Sequence, residues 1–346
     1  MKHRNADILT AVTTLLLALT AALAGCGGGG GDATPTPMPT PPLTTAPPAS
    51  VERNLDPSTI DAGVVASSKE FHVAINPSPR VAAANKLFVF LPGTDGVPDQ
   101  YRLILRAGAN RGFHAIGLDY PNAAAVGVLC AGSADADCFW NVRREVITGQ
   151  DLSTVVAIDN ANSIVTRLTK AIAYLHQNHA DEGWGRYLVN GSPDWSKVIV
   201  GGHSQGGGHA GVMTKLYTVS RACYFASPPD WNTRSNQPAD WESKANLTSA
   251  AAQFGFASLD DPSVPYAQLS VIWQTLGLAA FGPAISVDTS TAPFAGSHVL
   301  TTRAQPAASN TAGTPLHGLT VRDAFTPLGA SGQRLFDAAW GYLCFQ

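Results

Sequence analysis

Charge is scarce in this chain. Of its 346 residues only 14% are Asp, Glu, Lys or Arg, and 22 basic against 25 acidic side chains leave a formal net charge of −3. No basic patch is available to neutralise phosphates, which argues against a nucleic-acid-binding module. A hydrophobic content of 45% equally excludes a chain too polar to build a core. Cysteine is also sparse, five residues in all. No C-x-x-C pair and no histidine cluster at ligand spacing is present, so a metal site is not expected, and the chemistry read from the motifs below requires no organic cofactor. Beyond the first 25 residues no apolar run approaches the ~20 residues that cross a bilayer. No internal repeat is evident.

Glycine and proline are plentiful instead, 33 and 24 of them, and the N-terminal region uses them in a particular way. Lys2 and Arg4 precede an apolar stretch from Ile8 to Leu23 that is short and quickly broken, the pattern of an export signal. It ends in Leu23-Ala24-Gly25-Cys26, which resembles the bacterial lipobox. That resemblance implies a diacylglycerol-modified Cys26 as the first mature residue and a membrane contact through the lipid. Gly27 stands where aspartate would signal inner-membrane retention, so the cell envelope, at the outer membrane, is the expected location. Five glycines and a Thr/Pro repeat follow, too poor in apolar side chains to fold and suited to an extended tether. Residues 1–25 thus read as a lipoprotein signal peptide, 26–50 as a tether and 51–346 as the folded domain.

Four cysteines lie in that domain, and an even number in an exported protein suggests two disulfides with three possible pairings. Cys130 and Cys138 flank the turn-forming stretch Ala131 to Asp137 and are paired locally, which leaves Cys223 with Cys344. Buried free thiols are the alternative.

Strand-like and helix-like runs alternate along the domain. Phe71 to Ile75, Leu87 to Leu91, Ala115 to Tyr120, Val198 to Gly202, Ala222 to Ala226, Phe254 to Ser258 and His298 to Ala304 read as strands. Leu87-Phe88-Val89-Phe90-Leu91 is apolar throughout, as a parallel strand covered on both faces would be. Helices are predicted over Asp99 to Arg111, Ile158 to His179, His209 to Thr218, Tyr266 to Leu276 and Gln333 to Tyr342, with 121–152 irregular. Such alternation predicts an α/β fold, a mostly parallel central sheet with helices on both faces. The segment between the Ala226 strand and Phe254 is too short for a large helical cap. Trp140, Trp231 and Trp241 lie in the irregular parts and are candidates for the mouth of a site.

The most informative segment is Val198-Ile199-Val200-Gly201-Gly202-His203-Ser204-Gln205-Gly206. A β-branched run ends in Gly-x-Ser-x-Gly and a helix-compatible stretch follows at once, the strand–turn–helix corner of a nucleophile elbow. Such a corner holds a serine hydroxyl at a helix N-terminus, where oriented N–H groups favour negative charge.

With the elbow, the strand order and the downstream residues considered together, the stretch from about Val65 to Gln346 resembles the α/β-hydrolase superfamily, whose chain order is nucleophile, acid, histidine. The resemblance implies Ser204 as nucleophile. It implies a histidine after the last strand as base, and we choose His317, in a loop, over His298, in a strand, where the side chain would point into packing. His203 is expected beneath the turn and His209 on a helix surface. For the acid, Asp261 lies four residues before Pro265 in a Val-Pro pair and is preferred, with Asp260 and Asp230 as rivals. Two backbone N–H groups must hold the oxyanion. One is that of Gln205; the other comes from Pro92-Gly93-Thr94-Asp95-Gly96, where Thr94 is chosen over Gly93.

The expected function is an exported, lipid-anchored serine hydrolase that cleaves a carboxylic ester through an acyl-enzyme, acting as a monomer on a small or polymeric ester. Amide or peptide hydrolysis by the same residues is the first alternative. The second is a non-catalytic lipoprotein that uses the fold to bind a ligand.

Overall fold

The apolar runs assemble into a single nine-stranded sheet. The computed structural model describes residues 49–64, 71–307, 314–329, 332 and 334–346; Cys26 and the rest of 1–48 lie outside them. In chain order the strands are β1 (Val51–Leu55), β2 (His72–Asn76), β3 (Leu87–Leu91), β4 (His114–Gly117), β5 (Val198–His203), β6 (Arg221–Phe225), β7 (Gln253–Ser258), β8 (Ile285–Ser286) and β9 (Val299–Thr302). Their spatial order is β1-β2-β4-β3-β5-β6-β7-β9-β8. From β4 to β8 every neighbouring pair is parallel, and β1 and β2 complete the sheet antiparallel at one edge.

The helices are α1 (Arg102–Ala109), α2 (Cys138–Thr148), α3 (Ile164–Asn178), α4 (Gln205–Leu216), α5 (Tyr266–Thr275) and α6 (Asp337–Cys344), with shorter turns between. They cover both faces. Leu87, Val89 and Leu91 of β3 enter one core with residues of α2, α3, α4 and α5, whereas Phe88 and Phe90 enter the other with residues of α1 and α6. Alternate residues of a strand point to opposite faces, so a strand buried on both must be apolar throughout. The mostly parallel sheet with helices on both faces, expected of an α/β-hydrolase fold, is therefore present.

Several boundaries differ from expectation. The stretch 121–152 is not irregular: it carries a short helix, Val126–Cys130, and α2. The apolar pattern of α2 is interrupted by Arg143 and Glu145, yet both are buried because each finds partners inside the protein. The long helix α3 begins at Ile164 instead of Ile158, because the Ser163 hydroxyl caps it by accepting the Thr166 amide. The first predicted helix is a 3₁₀ turn, Pro98–Tyr101, followed by α1. The terminal helix runs to Cys344. Strands β1 and β8 were not anticipated.

Both disulfides form as expected, Cys130–Cys138 and Cys223–Cys344. The first ties the short helix 126–130 to α2. The second, spanning 121 residues, fastens α6 to β6. Among the described residues no helix is long and apolar enough to cross a membrane.

Candidate active site

Strand β3 leads through α1 to β4 on one side, and β5 leads through α4 to β6 on the other. Their carboxyl ends therefore open a crevice where the chain changes direction, the place at which parallel sheets hold ligands. Two tight turns meet there.

The first turn is the elbow. Ser204 lies between β5 and α4 with φ 52° and ψ −120°, a region that a side-chain-bearing residue seldom occupies and that costs about 1–3 kcal/mol. Its amide donates to Phe225 O and its carbonyl accepts from Gly208 N, at 3.0 and 3.1 Å. The glycines on either side are required by space. A Cβ on Gly202 would lie 2.3 Å from the Gly206 carbonyl carbon, and one on Gly206 would lie 2.1 Å from Leu91 O.

The second turn, residues 92–96 after β3, packs directly on the first: a Cβ on Gly93 would stand 3.3 Å from Ser204 Cβ. The amides of Asp95 and Gly96 donate to Asn122 O and Gly93 O, and that of Gly93 faces the Tyr101 hydroxyl at 3.4 Å. The Thr94 amide is the one in this turn without a partner among the described residues. Gln205 opens α4, where the first N–H groups have no intrahelical acceptor. Its side chain stitches the region together: Oε1 accepts from Thr94 Oγ1 and from Val126 N, both at 3.0 Å, and Nε2 donates to Asn122 O at 3.1 Å.

On the opposite side of the elbow, Asp261 and His317 are brought together across 56 residues of sequence. His317 Nδ1 and Asp261 Oδ2 are 2.7 Å apart, and the Asp261 side chain is fully buried. The other carboxylate oxygen accepts from Ser263 N and Val264 N, which locks its orientation. With Nδ1–H given to the carboxylate, the neutral ring carries its lone pair on Nε2. His317 sits in one helical turn, Pro315–Gly318, where a plain loop was expected.

The rivals are engaged elsewhere. Asp260 is exposed and pairs with Arg303. Asp230 forms a fully buried bidentate pair with Arg143 and accepts from Trp241 Nε1. The His298 ring is stacked between Phe254 and Phe281, both at 3.9 Å, and its Nδ1–H donates to Gln253 O. His209 is fully buried against Tyr120, not on a helix surface. Of the three tryptophans considered for the mouth, Trp241 is buried in the core, while Trp140 and Trp231 are half-buried. Among the described residues no group of three or more His, Cys, Asp and Glu could hold a metal ion.

One support was not legible beforehand. The Tyr101 hydroxyl, from the 3₁₀ turn before α1, donates to His203 Nδ1 at 3.0 Å, and His203 Nε2–H donates to His317 O at 3.0 Å. His203 is thus the link between the turn at 92–96 and the backbone of His317. Burial, with the nearby His317 charge second, holds its imidazole well below the usual histidine range, so it remains neutral. Nothing in the local sequence around Tyr101 marks it, since its partner lies 102 residues away.

No protein-family model and no curated protein matches the chain. Solved structures overlap it in part. Thermogutta terrifontis esterase 2, phosphorylated by paraoxon, is 15% identical with a TM-score of 0.39, covering 76% of this chain and 85% of that one. The apo form of the same esterase gives 14% and 0.38, over 75% and 85%. A native structure, described as a novel thermophilic esterase from that planctomycete, gives 17% and 0.35, over 68% and 78%.

Proposed function

We propose that the protein is a serine hydrolase that cleaves a carboxylic ester by way of an acyl-enzyme. The observation that carries this reading is the convergence on one crevice of a strained serine at a helix N-terminus and a histidine bonded to a buried carboxylate. Ser204 Oγ attacks the acyl carbon while His317 Nε2 takes its proton. Asp261 keeps the imidazole in the productive tautomer and stabilises the imidazolium without taking up the proton. The amides of Thr94 and Gln205 hold the oxyanion; being fixed by the Gln205 side chain and the helix, they need little reorganisation as charge develops. Collapse of the tetrahedral species expels the alcohol, protonated by His317. Water, deprotonated by the same histidine, then attacks the acyl-enzyme and releases the carboxylate.

The test is labelling of the mature chain by a fluorophosphonate, together with turnover of p-nitrophenyl acetate and a matching anilide. Ser204 is expected to carry the label and the ester to react faster than the anilide. Ser204→Ala and His317→Ala should each lose about 10⁴–10⁶ in kcat, the double variant scarcely more, because these groups act as a unit. A well-folded protein that takes no label and turns over neither compound would be a binding lipoprotein. A faster anilide would make it an amidase.

Export and lipid anchoring belong to the same proposal. The two disulfides support an oxidising compartment, and the lipobox-like segment supports a diacylglycerol on Cys26, with the outer membrane as the destination. Mass spectrometry of the N-terminal peptide should find that increment. Recovery of Cys26→Ser in the same membrane fraction, with an unmodified terminus in the wild type, would remove the anchor.

A further inference from the structure

An apolar cavity of about 290 Å³ lies beside the turn at 92–96, walled by Pro121, Val126, Val142, Val146, Val156 and Ile158, with Asn122 as its polar member. Asn122 spends both of its side-chain donors on the neighbouring turn. Its Nδ2 donates to Gly93 O and Gly96 O, at 2.9 and 2.7 Å, and its backbone carbonyl accepts from Gln205 Nε2 and Asp95 N. A cavity lined by apolar side chains, with both donors of its one polar side chain already engaged, favours an apolar occupant.

The walls are held rigidly. The Glu145 carboxylate accepts the amides of Leu152, Ser153 and Ile158, which pins the loop that supplies Val156 and Ile158. The Cys130–Cys138 disulfide joins the helix bearing Val126 to α2, which bears Val142 and Val146. Arg143, between those two valines, donates from Nη1 to Gln205 O at 2.9 Å, so α2 is registered directly on the residue after Ser204.

Strand order decides which part of an ester would enter. β5 carries Ser204; β7, which leads to Asp261, lies two strands away on one side, and β4, which leads to the cavity wall, two strands away on the other. At about 4.8 Å per strand these are separate flanks of the crevice, roughly 10 Å either way. The histidine must protonate the departing alcohol, so the alcohol lies on the His317 flank and the acyl chain extends toward the cavity.

We propose that this cavity is the acyl-chain site and that the substrates are esters of unbranched aliphatic acids of medium length. At about 30 Å³ per water-sized unit it has room for roughly eight to ten such units. The proposal rests on the hydrolase reading, and its experiment separates the two.

The experiment has three arms. In p-nitrophenyl esters from acetyl to lauroyl, kcat/KM should rise about fourfold per methylene until the chain fills the cavity near octanoyl, then level. In acetate esters of alcohols of increasing length the dependence should be weak. Val156→Trp, and separately Ala123→Trp at the exposed edge of the wall, should lower the octanoyl-to-acetyl ratio at least tenfold. Ser270→Trp, which fills a different cavity beside Trp273 and Val299, should leave that ratio where it is. Calorimetric titration of Ser204→Ala with sodium octanoate should show binding that Val156→Trp abolishes. A flat acyl series, a length dependence confined to the alcohol, a ratio moved by Ser270→Trp alone, or no octanoate binding each overturns the site. Octanoate binding lost in Val156→Trp, with no ester turned over by the wild type, upholds the cavity and overturns the hydrolase.

Discussion

Replacing Asp230 and Asp261 separately by asparagine should divide stability from catalysis. Asp230 and Arg143 are both fully buried, with side-chain exposures of 0% each. Removing the carboxylate's charge leaves a guanidinium in the core without its counter-ion, a loss of about 3–5 kcal/mol. At about 2–4 °C per kcal/mol for a large domain, the melting temperature should fall by roughly 6–20 °C. Burial, and after it Asp230, pushes the Glu242 carboxyl well above the usual range. With Asp230 neutral, Glu242 ionises more readily and offsets part of the loss, so Asp230→Asn/Glu242→Gln should be less stable than the single variant. Asp261→Asn behaves in the opposite way. An asparagine oxygen still accepts from Ser263 N and Val264 N, so stability should change by about 1 kcal/mol or less. Its amide, however, presents an N–H to His317 Nδ1 and selects the wrong tautomer, a loss of about 10⁴ in kcat. The assay is thermal unfolding by circular dichroism beside ester turnover, normalised to folded protein by the circular-dichroism amplitude. If Asp230→Asn kills turnover at an unchanged melting temperature while Asp261→Asn stays active, the acid is misassigned.

The remaining predictions concern other elements. Removing the Cys223–Cys344 disulfide as a double serine variant should cost about 5 kcal/mol from its 121-residue closure. Removing Cys130–Cys138, separated by 8 residues, should cost about half as much; equal losses in denaturant unfolding would contradict the loop-entropy account. Burial pushes the Asp323 carboxyl up to about 7, despite the Leu103 amide it accepts. The folded state therefore keeps a proton that the unfolded chain releases near pH 4, and stability declines as pH rises from about 4 through 7. Asp323→Asn should accordingly stabilise the protein at pH 8 and do little at pH 4; an equal gain at both would dismiss that ionisation. His298→Ala should lose the stacks on Phe254 and Phe281 and lower the melting temperature, with turnover per folded molecule retained. A dead but stable His298→Ala would reopen the choice of base.

The unexpected strand β1 shows why part of the fold was hidden. Its sequence, Val51-Glu52-Arg53-Asn54-Leu55, carries charge where a strand pattern calls for apolar residues. Those charges are answered by distant groups, Glu52 by Arg102 and Arg106 and Arg53 by Glu182. The two-residue β8 is too short to have a period. In α2 the buried Arg143 and Glu145 break the apolar stripe for the same reason: their partners, Asp230 and the amides of 152–158, are supplied by folding.

What the sequence determined by itself is local. The elbow can be read from the nine residues Val198 to Gly206 because its requirement is steric and falls on neighbours: no Cβ fits at Gly202 or Gly206. The continuous apolar run of β3 announces burial on both faces for an equally local reason. Which aspartate meets which histidine is a different kind of fact. Asp230, Asp260 and Asp261 are the same side chain, and in sequence only the place of Asp261 before the Val264-Pro265 pair favours it. Tertiary structure separates them, giving Asp230 a buried arginine, Asp260 a surface one and Asp261 the imidazole of His317. The Tyr101–His203–His317 link and the apolar cavity beside the turn at 92–96 are likewise assembled from segments far apart in the chain. Each depends on strand order, which sets the flank of Ser204 on which a side chain arrives, and no local spacing encodes that order.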